Sequence, residues 1–357
     1  MPQQLDDFRL LGRSGLRISP LALGTMIYGS NQDWGPSDAE TDKIFNRYVE
    51  RGGNFIDTAN YYEKGGSEQA VGKFVKDRRH QFVISTKYSL SMRWGDPNAG
   101  GNHRKNMVQS VEDSLRRMGT DYIDLFYLHV WDRRTPVEEI LRAFDDLVRA
   151  GKILYVGLSD SPAWQASRMQ AIAELRGWAP LIALQVPYNL TERSVERDLL
   201  PMALEMGMGV LPWSPLAGGV LSGKYDRKDL EPPAKDLAKL STRKQINVAS
   251  GRLSERTLGI AEVVKTVAKE MERTPSQVAL AWTLLNPAVT CPVIGARTLS
   301  QLDDNLAALD IAFSDDQIAH LDAASRIELG FPHDFLNSEI MVSMFGGVKV
   351  ALPGRSA

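Results

Sequence analysis

The sequence has very little cysteine and no long apolar run. Its 357 residues include one cysteine, Cys291, so an internal disulfide and a zinc site built on paired cysteines are both excluded. Cys291 lies in an apolar, strand-like run, which indicates a buried small side chain. No apolar stretch approaches the roughly 20 residues of a membrane-spanning helix. Residues 1–7 show no basic region followed by an apolar one, so we expect a cytoplasmic protein without a membrane partner.

The sequence also lacks an excess of one charge. Lysine and arginine total 42 and aspartate and glutamate total 44, a net charge of -2, which argues against a nucleic-acid partner or an anionic membrane surface. The five histidines show no spacing typical of metal ligands, so no metal is expected. Apolar residues make up 43% of the chain and charged residues 24%, as in an ordinary globular enzyme. We interpret residues 1–357 as a single domain.

Short apolar runs rich in β-branched residues alternate with longer stretches of helical periodicity. The interiors of these runs are continuously apolar, which is typical of strands buried on both faces of a parallel sheet. The sequence therefore predicts eight strands: Leu21–Met26, Asn54–Ala59, Phe82–Lys87, Ile123–His129, Ile153–Ser159, Ala183–Asn189, Gly209–Pro215 and Val289–Gly295.

Helices are predicted between these strands. Within residues 108–118 and 137–147, apolar side chains recur every three or four positions and would lie on one face. Ser37, Thr135 and Thr274 each stand three residues before Glu or Gln. This spacing predicts helix starts at which the hydroxyl and the longer side chain satisfy the first free backbone amides.

Eight strand–helix units predict a (β/α)8 TIM barrel. The competing fold, a doubly wound open sheet, would carry a G-x-G-x-x-G turn after its first strand if it bound a dinucleotide, and no such turn occurs. Residues 8–18 are typical of a β-hairpin, which we expect to plug the amino-terminal end of the barrel. Residues 224–256, polar and rich in Lys and Arg, are predicted to form a long loop. Residues 327–357 are too apolar for a disordered tail and are predicted to pack as a C-terminal lid over the active site.

Polar residues at predicted strand ends suggest a proton-donating set. In α/β barrels the reactive groups lie at the carboxyl ends of strands, where Asp57, Tyr62, Lys87 and His129 would stand. A free tyrosine has a pKa of about 10, and a nearby lysine would lower the pKa of Tyr62. A histidine can orient a carbonyl or relay a proton. From spacing alone, an ordinary ion pair and a satisfied histidine explain these residues equally well.

Six motifs, in order from about residue 8 to residue 325, resemble the aldo-keto reductase superfamily. They are Gly53–Ala59 with Tyr62 and Gly66-Ser67-Glu68, then Ile84–Lys87, Asp121–His129, Gly151–Ser159, Trp213–Tyr225 and Gly295–Asn305. The resemblance implies a barrel that binds NADPH or NADP+ and transfers a hydride reversibly between the nicotinamide and an aldehyde or ketone. The substrate partner would then be a small carbonyl compound or alcohol.

The resemblance also implies a role for each matching residue. Tyr62 would be the general acid, Lys87 would tune it, Asp57 would pair with Lys87, and His129 would orient the carbonyl. Trp213 would stack on the nicotinamide, and Ser159 and Gln185 would bond its carboxamide. Arg297 would contact the 2′-phosphate, which favours NADPH over NADH. The other cofactor positions implied are Gly24, Thr25, Met26, Asp57, Asp160, Ser214, Pro215, Leu216, Ala217, Gly218, Lys224, Gly295, Gln301, Asp304 and Asn305.

Two positions depart from the family pattern. Residue 160 is Asp, where many members have Asn after the serine, and an ionised Asp can only accept hydrogen bonds. Its charge near the ring would favour the oxidised, positively charged nicotinamide. The phosphate segment has Gly295-Ala296-Arg297 instead of the Pro-Lys-Ser of mammalian-type members, and so resembles the bacterial and channel β-subunit branches.

Two other functions remain open from the sequence. One is a cofactor-binding regulatory subunit like the channel β-subunits, although that branch lacks a histidine matching His129. The other is an unrelated barrel such as a phosphate-sugar isomerase. The aromatic residues Trp34, Tyr88, Trp131 and Phe335, with Met341 and Phe345 of the tail, are candidates for a pocket that accepts a bulky or apolar carbonyl compound.

Overall fold

A computed structural model describes residues 4–29, 35–230 and 242–348. Two short strands, β1 (Arg9–Leu10) and β2 (Arg17–Ile18), pair antiparallel as the predicted hairpin. Eight parallel strands follow. The first seven pair in chain order, each with the next, and the eighth pairs with the first. They are β3 (Ala22–Gly24), β4 (Phe55–Asp57), β5 (Val83–Tyr88), β6 (Ile123–Leu128), β7 (Ile153–Ser159), β8 (Leu181–Pro187), β9 (Gly209–Trp213) and β10 (Val293–Ile294).

Helices fill the connections between the strands and surround the sheet. Among the described residues, none of them combines the length and the apolar content needed to cross a membrane. The helices are α1 (Asp38–Glu50), α2 (Gly66–Val75), α3 (Arg104–Met118), α4 (Val137–Arg149), α5 (Ala163–Arg176), α6 (Leu199–Glu205), α7 (Thr242–Ala249), α8 (Glu255–Glu270), α9 (Pro275–Thr283), α10 (Leu299–Leu306), α11 (Asp315–Ser325), α12 (His333–Leu336) and α13 (Ile340–Met344).

The barrel closes between its last two strands through a parallel bridge from Val210 to Val289. Inside it, a compact apolar cluster joins side chains from several strands, and Leu11 and Ile18 of the hairpin region belong to the same cluster. The hairpin therefore plugs the barrel, as predicted. The second and much larger core lies between the outer face of the strands and the helices. The (β/α)8 barrel predicted from the alternating pattern is confirmed.

Two of the three predicted helix caps form. Ser37 accepts a hydrogen bond from the backbone of Glu40, and Thr274 forms a reciprocal capping box with Gln277. The prediction for Thr135 is wrong: α4 begins one residue later than expected, with Pro136 as its N-cap, and the Thr135 hydroxyl donates to Asp132 instead.

Residues 224–256 are not the plain loop that their polarity predicted. They contain the two-turn helix α7 and the start of α8, and residues 231–241 between them lie outside the described residues. The described part of the tail contacts the rest of the protein but leaves an aromatic side chain exposed. Arg197 donates to the carbonyl of Glu328 and His333 lies 3.2 Å from Asp198, but Phe331 is 86% exposed. That the tail covers the active site stays a prediction.

Candidate active site

Asp57 and Lys87 form a fully buried ion pair at the carboxyl ends of β4 and β5. The Lys87 Nζ atom donates to Asp57 Oδ2 at 2.7 Å, to the Thr58 carbonyl at 2.8 Å and to Tyr62 Oη at 3.3 Å. All three ammonium protons thus have an acceptor. Burial lowers the pKa of Lys87, but the Asp57 charge and the contacts with Asp57 and Tyr62 outweigh it and leave that pKa raised. Lys87 is therefore a fixed positive charge directed at the phenol.

Tyr62 begins a 3₁₀ turn, Tyr62–Gly65, between β4 and α2. Burial of the hydroxyl raises the pKa of Tyr62, the Lys87 charge lowers it and the Asp57 charge raises it, and the net pKa lies above its ordinary value. The Lys87 charge acts in the direction that the sequence predicts. Desolvation outweighs that effect here, so the phenol holds its proton at neutral pH.

His129 follows β6 and faces Tyr62. The two rings meet edge to face, with centroids 5.8 Å apart and an interplanar angle of 83°. Burial and the Lys87 charge together lower the pKa of His129 to about 3. The imidazole is therefore neutral at neutral pH, and its buried Nδ1 has no hydrogen-bond partner within the described residues. The structure thus brings Asp57, Tyr62, Lys87 and His129 together.

Of the residues assigned to the nicotinamide, Trp213 contacts Asp160, and Gln185 contacts the Asp57–Lys87 ion pair. Trp213, at the end of β9, donates from Nε1 to Asp160 Oδ1 at 3.1 Å, so the indole and the carboxylate are linked across the barrel mouth. Ser159 is buried at the end of β7. Gln185 donates to Asp57 Oδ1 at 2.9 Å, which places its amide on the ion pair. Of the first-strand positions, Gly24 ends β3, Thr25 donates to the carbonyl of Asp57, and Met26 is 38% exposed.

The segment after β9 forms a tight turn of small residues. Ser214 and Ala217 have positive φ angles of 51°, and Gly218 follows with 66°. A Cβ atom at Gly218 would lie 2.3 Å from the Oδ1 atom of Asn247, so only glycine fits there. Pro215 is buried beside this turn, Leu216 is partly buried, and the Lys224 ammonium lies over the Tyr225 ring.

The turn between β10 and α10 carries the positions expected to hold the adenosine end. Thr298 accepts from the backbone of Gln301, while the Gln301 side chain accepts from the backbone of Arg297. Asn305 donates to the carbonyl of Gly295. Within the described parts of the chain, no hydrogen bond or ion pair engages the Arg297 guanidinium. Asp304 is different, because it accepts from Thr274 and Gln277 at the start of α9 and so fastens two helices together.

The predicted substrate-pocket residues do not form one group. Tyr88 is fully buried between the sheet and the helices, where its ring stacks on Phe126, so it cannot line an open pocket. Trp131 lies beyond β6, two residues after His129, with its ring edge to face against Trp164. Phe335 contacts Phe331 on the exposed tail. Trp34 lies outside the described residues.

Several residues of the site were missed by the sequence analysis. Ser85 donates to Asp57 Oδ1, and it lies two positions before Lys87, so strand alternation places both side chains on one face. That polar pair in an apolar strand was a usable signal. Asn247, which donates to the carbonyl of Gly218, and Asn189, which donates to the carbonyl of Ser214, gave no local signal.

The sequence matches known proteins along most of its length. The model of the aldo/keto reductase family matches residues 20–326. A norsolorinic acid reductase of Aspergillus flavus is 36% identical over 346 residues, which cover 94% of this chain and 85% of that protein. An NADP(+) aryl-alcohol dehydrogenase of Phanerodontia chrysosporium is 34% identical over 348 residues, 93% and 89% of the two chains.

A bacterial relative, the uncharacterized oxidoreductase YrpG of Bacillus subtilis, is 36% identical over 318 residues, which cover 86% of this chain and 92% of that protein. The fungal and bacterial relatives all match more than four fifths of this chain. The closed eight-stranded barrel, the side-chain cluster at its carboxyl end and these matches lead to one conclusion: the chain belongs to the aldo/keto reductase family.

Proposed function

We propose that this protein is an NADPH-dependent carbonyl reductase in which Tyr62 protonates the carbonyl oxygen. The observation that carries the proposal is the contact of Tyr62 Oη with Lys87 Nζ at 3.3 Å, beside a histidine whose pKa is lowered to about 3. A protonated phenol, a fixed ammonium and a neutral imidazole together can donate a proton and stabilise the anion left behind.

Each residue of this cluster has a separate task. Tyr62 gives its proton to the carbonyl oxygen, and the resulting phenolate is stabilised by the Lys87 ammonium. Asp57 keeps that ammonium charged and in place through the 2.7 Å contact. Neutral His129 orients the carbonyl oxygen towards Tyr62 without competing as a charged acid. The opposite direction, oxidation of an alcohol, uses the same groups in reverse.

The residues around this cluster fit a nicotinamide dinucleotide. Trp213 would support the nicotinamide, because its ring is only partly buried and Asp160 fixes its edge. The turn after β9 is made of small residues with positive φ angles, Ser214, Ala217 and Gly218, and small residues would let a pyrophosphate approach the backbone. Arg297, unengaged within the described chain, would hold the 2′-phosphate and so favour NADPH. When bound, the nicotinamide supplies the hydride.

The substrate we propose is an aromatic aldehyde or ketone. Trp131, on the loop after β6, and Trp164, in the first turn of α5, meet edge to face with centroids 5.4 Å apart. They follow His129 and Asp160 closely in the chain. Aromatic rings favour such offset or edge contacts with other rings. One of the relatives named above is called an aryl-alcohol dehydrogenase, and that name agrees with an aromatic substrate.

The test follows NADPH absorbance with benzaldehyde-type and aliphatic carbonyl compounds, for the native protein and for Tyr62→Phe. We expect turnover with the native protein and a loss of kcat of about 100-fold to 10,000-fold in Tyr62→Phe, the range of general acid catalysis. Binding of NADPH, measured by fluorescence, should persist in the variant. Tight NADPH binding with no turnover on any carbonyl would favour a regulatory, cofactor-binding subunit instead.

A further inference from the structure

We propose that Glu68 is a positioning residue of this active site, which fastens the turn carrying Tyr62 to the strand carrying Lys87. The Gly66-Ser67-Glu68 motif follows that turn directly and begins α2. The role in turnover rests on the function proposed above, but the contact that Glu68 sets, between the phenol and the ammonium, is a property of the free protein.

The turn that carries Tyr62 needs external support. Glu63 and Lys64 adopt left-handed backbone angles, with φ of 48° and 54°, and Gly65 follows with φ of 96°. Left-handed conformations are strained for a non-glycine residue and persist only where the surroundings impose them. Without such support the turn would relax, and the hydroxyl of Tyr62 would move.

Glu68 supplies a link from this turn to the neighbouring strand. Its side chain is fully buried, and Oε1 accepts from the hydroxyl of Thr86 at 2.6 Å. Thr86 immediately precedes Lys87 on β5, and strand alternation directs the two side chains to opposite faces. Lys87 thus points to the phenol from the inner face while Thr86 holds Glu68 on the outer face. Tyr62 and Lys87 are therefore connected through Glu68 and Thr86.

Arg117 completes the link from the other side. Its Nε atom donates to Glu68 Oε2 at 2.5 Å, and its Cδ atom lies 2.7 Å from the position that a Cβ of Gly65 would take. Arg117 therefore packs against the last residue of the turn while it neutralises the carboxylate. Ser67 adds a second anchor, since its hydroxyl lies 2.8 Å from that of Thr25 and 2.7 Å from that of Thr58.

Burying a charged carboxylate beneath a helix is energetically unfavourable. The desolvation penalty of a buried ion pair can exceed its attraction, and apolar side chains of similar size often stabilise a fold as well. The Glu68–Arg117 pair adds a defined orientation, because each carboxylate oxygen of Glu68 accepts from its own donor, Thr86 or Arg117. An apolar side chain could not hold the strained turn in one orientation in this way.

The test compares Glu68→Ala and Glu68→Gln with the native protein. We expect kcat of Glu68→Ala to fall tenfold or more, since a displacement of about 1 Å can cost 100-fold. The dissociation constant of NADPH should stay within about threefold, a change under 1 kcal/mol. Glu68→Gln should recover most of the lost kcat, because the amide can accept from Arg117 and donate to the Thr86 hydroxyl.

A second readout needs neither cofactor nor substrate. Subtracting the tyrosinate absorbance of the matching Tyr62→Phe protein gives the titration of Tyr62 alone. In Glu68→Ala the pKa of Tyr62 should fall from its raised value towards about 10, its ordinary value, as the phenol gains water. The charged groups that face the phenol, Lys87, Asp57 and Asp160, are present in every variant. His129 is present as well.

Asp124→Ala is the matched control, because Asp124 is also a buried carboxylate, paired with Arg79 at 2.5 Å and bonded to the backbone of Ile84. Both variants should lower the unfolding midpoint, but only Glu68→Ala should move kcat and the Tyr62 titration. Equal kcat and equal titrations in the two variants would overturn the proposal.

If Glu68→Ala does not fold, Thr86→Val removes the hydrogen bond from Thr86 to Glu68 and keeps the Glu68–Arg117 ion pair. An unchanged Tyr62 titration in folded Thr86→Val would then overturn the role of Glu68. Absence of carbonyl reduction in the native protein would refute the proposed function alone, since the titration still tests the positioning.

Discussion

The indole of Trp213 is held by Asp160, which accepts its Nε1 proton at 3.1 Å. Asp160 itself has a left-handed backbone, with φ of 38°, so the structure imposes this conformation on the loop after β7. The residue that departs from the family pattern is therefore part of the support for the proposed nicotinamide stack. Its carboxylate contacts the indole directly, a role that the sequence pattern does not predict.

Substitutions at Asp160 should separate geometry from charge. Asp160→Asn keeps an acceptor for the indole but removes the charge, so NADP+ binding should weaken about threefold to tenfold relative to NADPH, a coupling of roughly 1 kcal/mol. Asp160→Ala loses the acceptor as well and should weaken both forms. Fluorescence titration with each cofactor measures this. Unchanged affinities for both forms in Asp160→Asn would disprove the charge effect.

Replacing one partner of the buried Asp57–Lys87 ion pair should destabilise the protein more than replacing both. Lys87→Met leaves the Asp57 carboxylate uncompensated in the interior and should reduce the free energy of unfolding by about 3–5 kcal/mol. Adding Asp57→Asn should restore much of this stability without restoring turnover, because the ammonium next to Tyr62 is still missing. Urea denaturation of the single and double variants measures the first effect and the NADPH assay the second. A double variant as unstable as Lys87→Met would contradict this.

The lowered pKa of His129 has a defined consequence for pH dependence. Its folded value of about 3 lies below its ordinary 6.5, so between these values the folded state binds fewer protons than the unfolded state. Stability that is present above pH 6.5 is therefore lost as the pH falls towards 3, by at most about 1.4 kcal/mol per pH unit. His129→Gln should show a shallower loss in acid denaturation.

The same pKa predicts a simple activity profile. Because His129 is already neutral near pH 7, kcat should show no inflection near pH 6.5, the ordinary value of a histidine. A profile that bends there in the native protein, and no longer bends in His129→Gln, would show that His129 titrates normally and would refute the proposed neutral role.

Gly218→Ala should distort the turn after β9, which we expect to contact the cofactor. The new Cβ would lie 2.3 Å from Asn247 Oδ1, in addition to the strain of a φ of 66°. We expect a lower melting temperature and NADPH binding weakened about tenfold, which corresponds to about 1.4 kcal/mol. Gly177→Ala is the matched control, since Gly177 has a similar φ of 61° with open space around it. Equal NADPH affinity in both variants would show that the turn does not contact the cofactor.

Strand positions were easier to predict than strand ends. The runs at Ile123–His129 and Ile153–Ser159 match β6 and β7 almost residue for residue. The last strand was predicted as Val289–Gly295 but is reduced to Val293–Ile294. A sequence reveals where apolar residues cluster, but the length of a ladder depends on the partner strand, which the neighbouring sequence does not describe.

Helix starts show the same limit. Thr274 and Thr135 stand in similar patterns, yet only Thr274 caps a helix. The hydroxyl of Thr135 is taken by Asp132, which also accepts from the backbone of Asn102, a residue in another loop. Asp132 lies only three residues before Thr135, so this competitor is local. The contact with Asn102, which holds Asp132 in place, belongs to the tertiary fold, and the local pattern could not reveal it.

By itself, the sequence determined the barrel and the residue types available at its carboxyl end. Periodicity fixes which stretches become strands and which become helices, and both are local properties of the chain. Only the tertiary structure decided how these residues act on each other. Gln185 meets Asp57 across 128 positions, and Trp213 meets Asp160 across 53. Whether Tyr62 holds its proton depends on burial and on the distance to Lys87, which exist only once the barrel has closed.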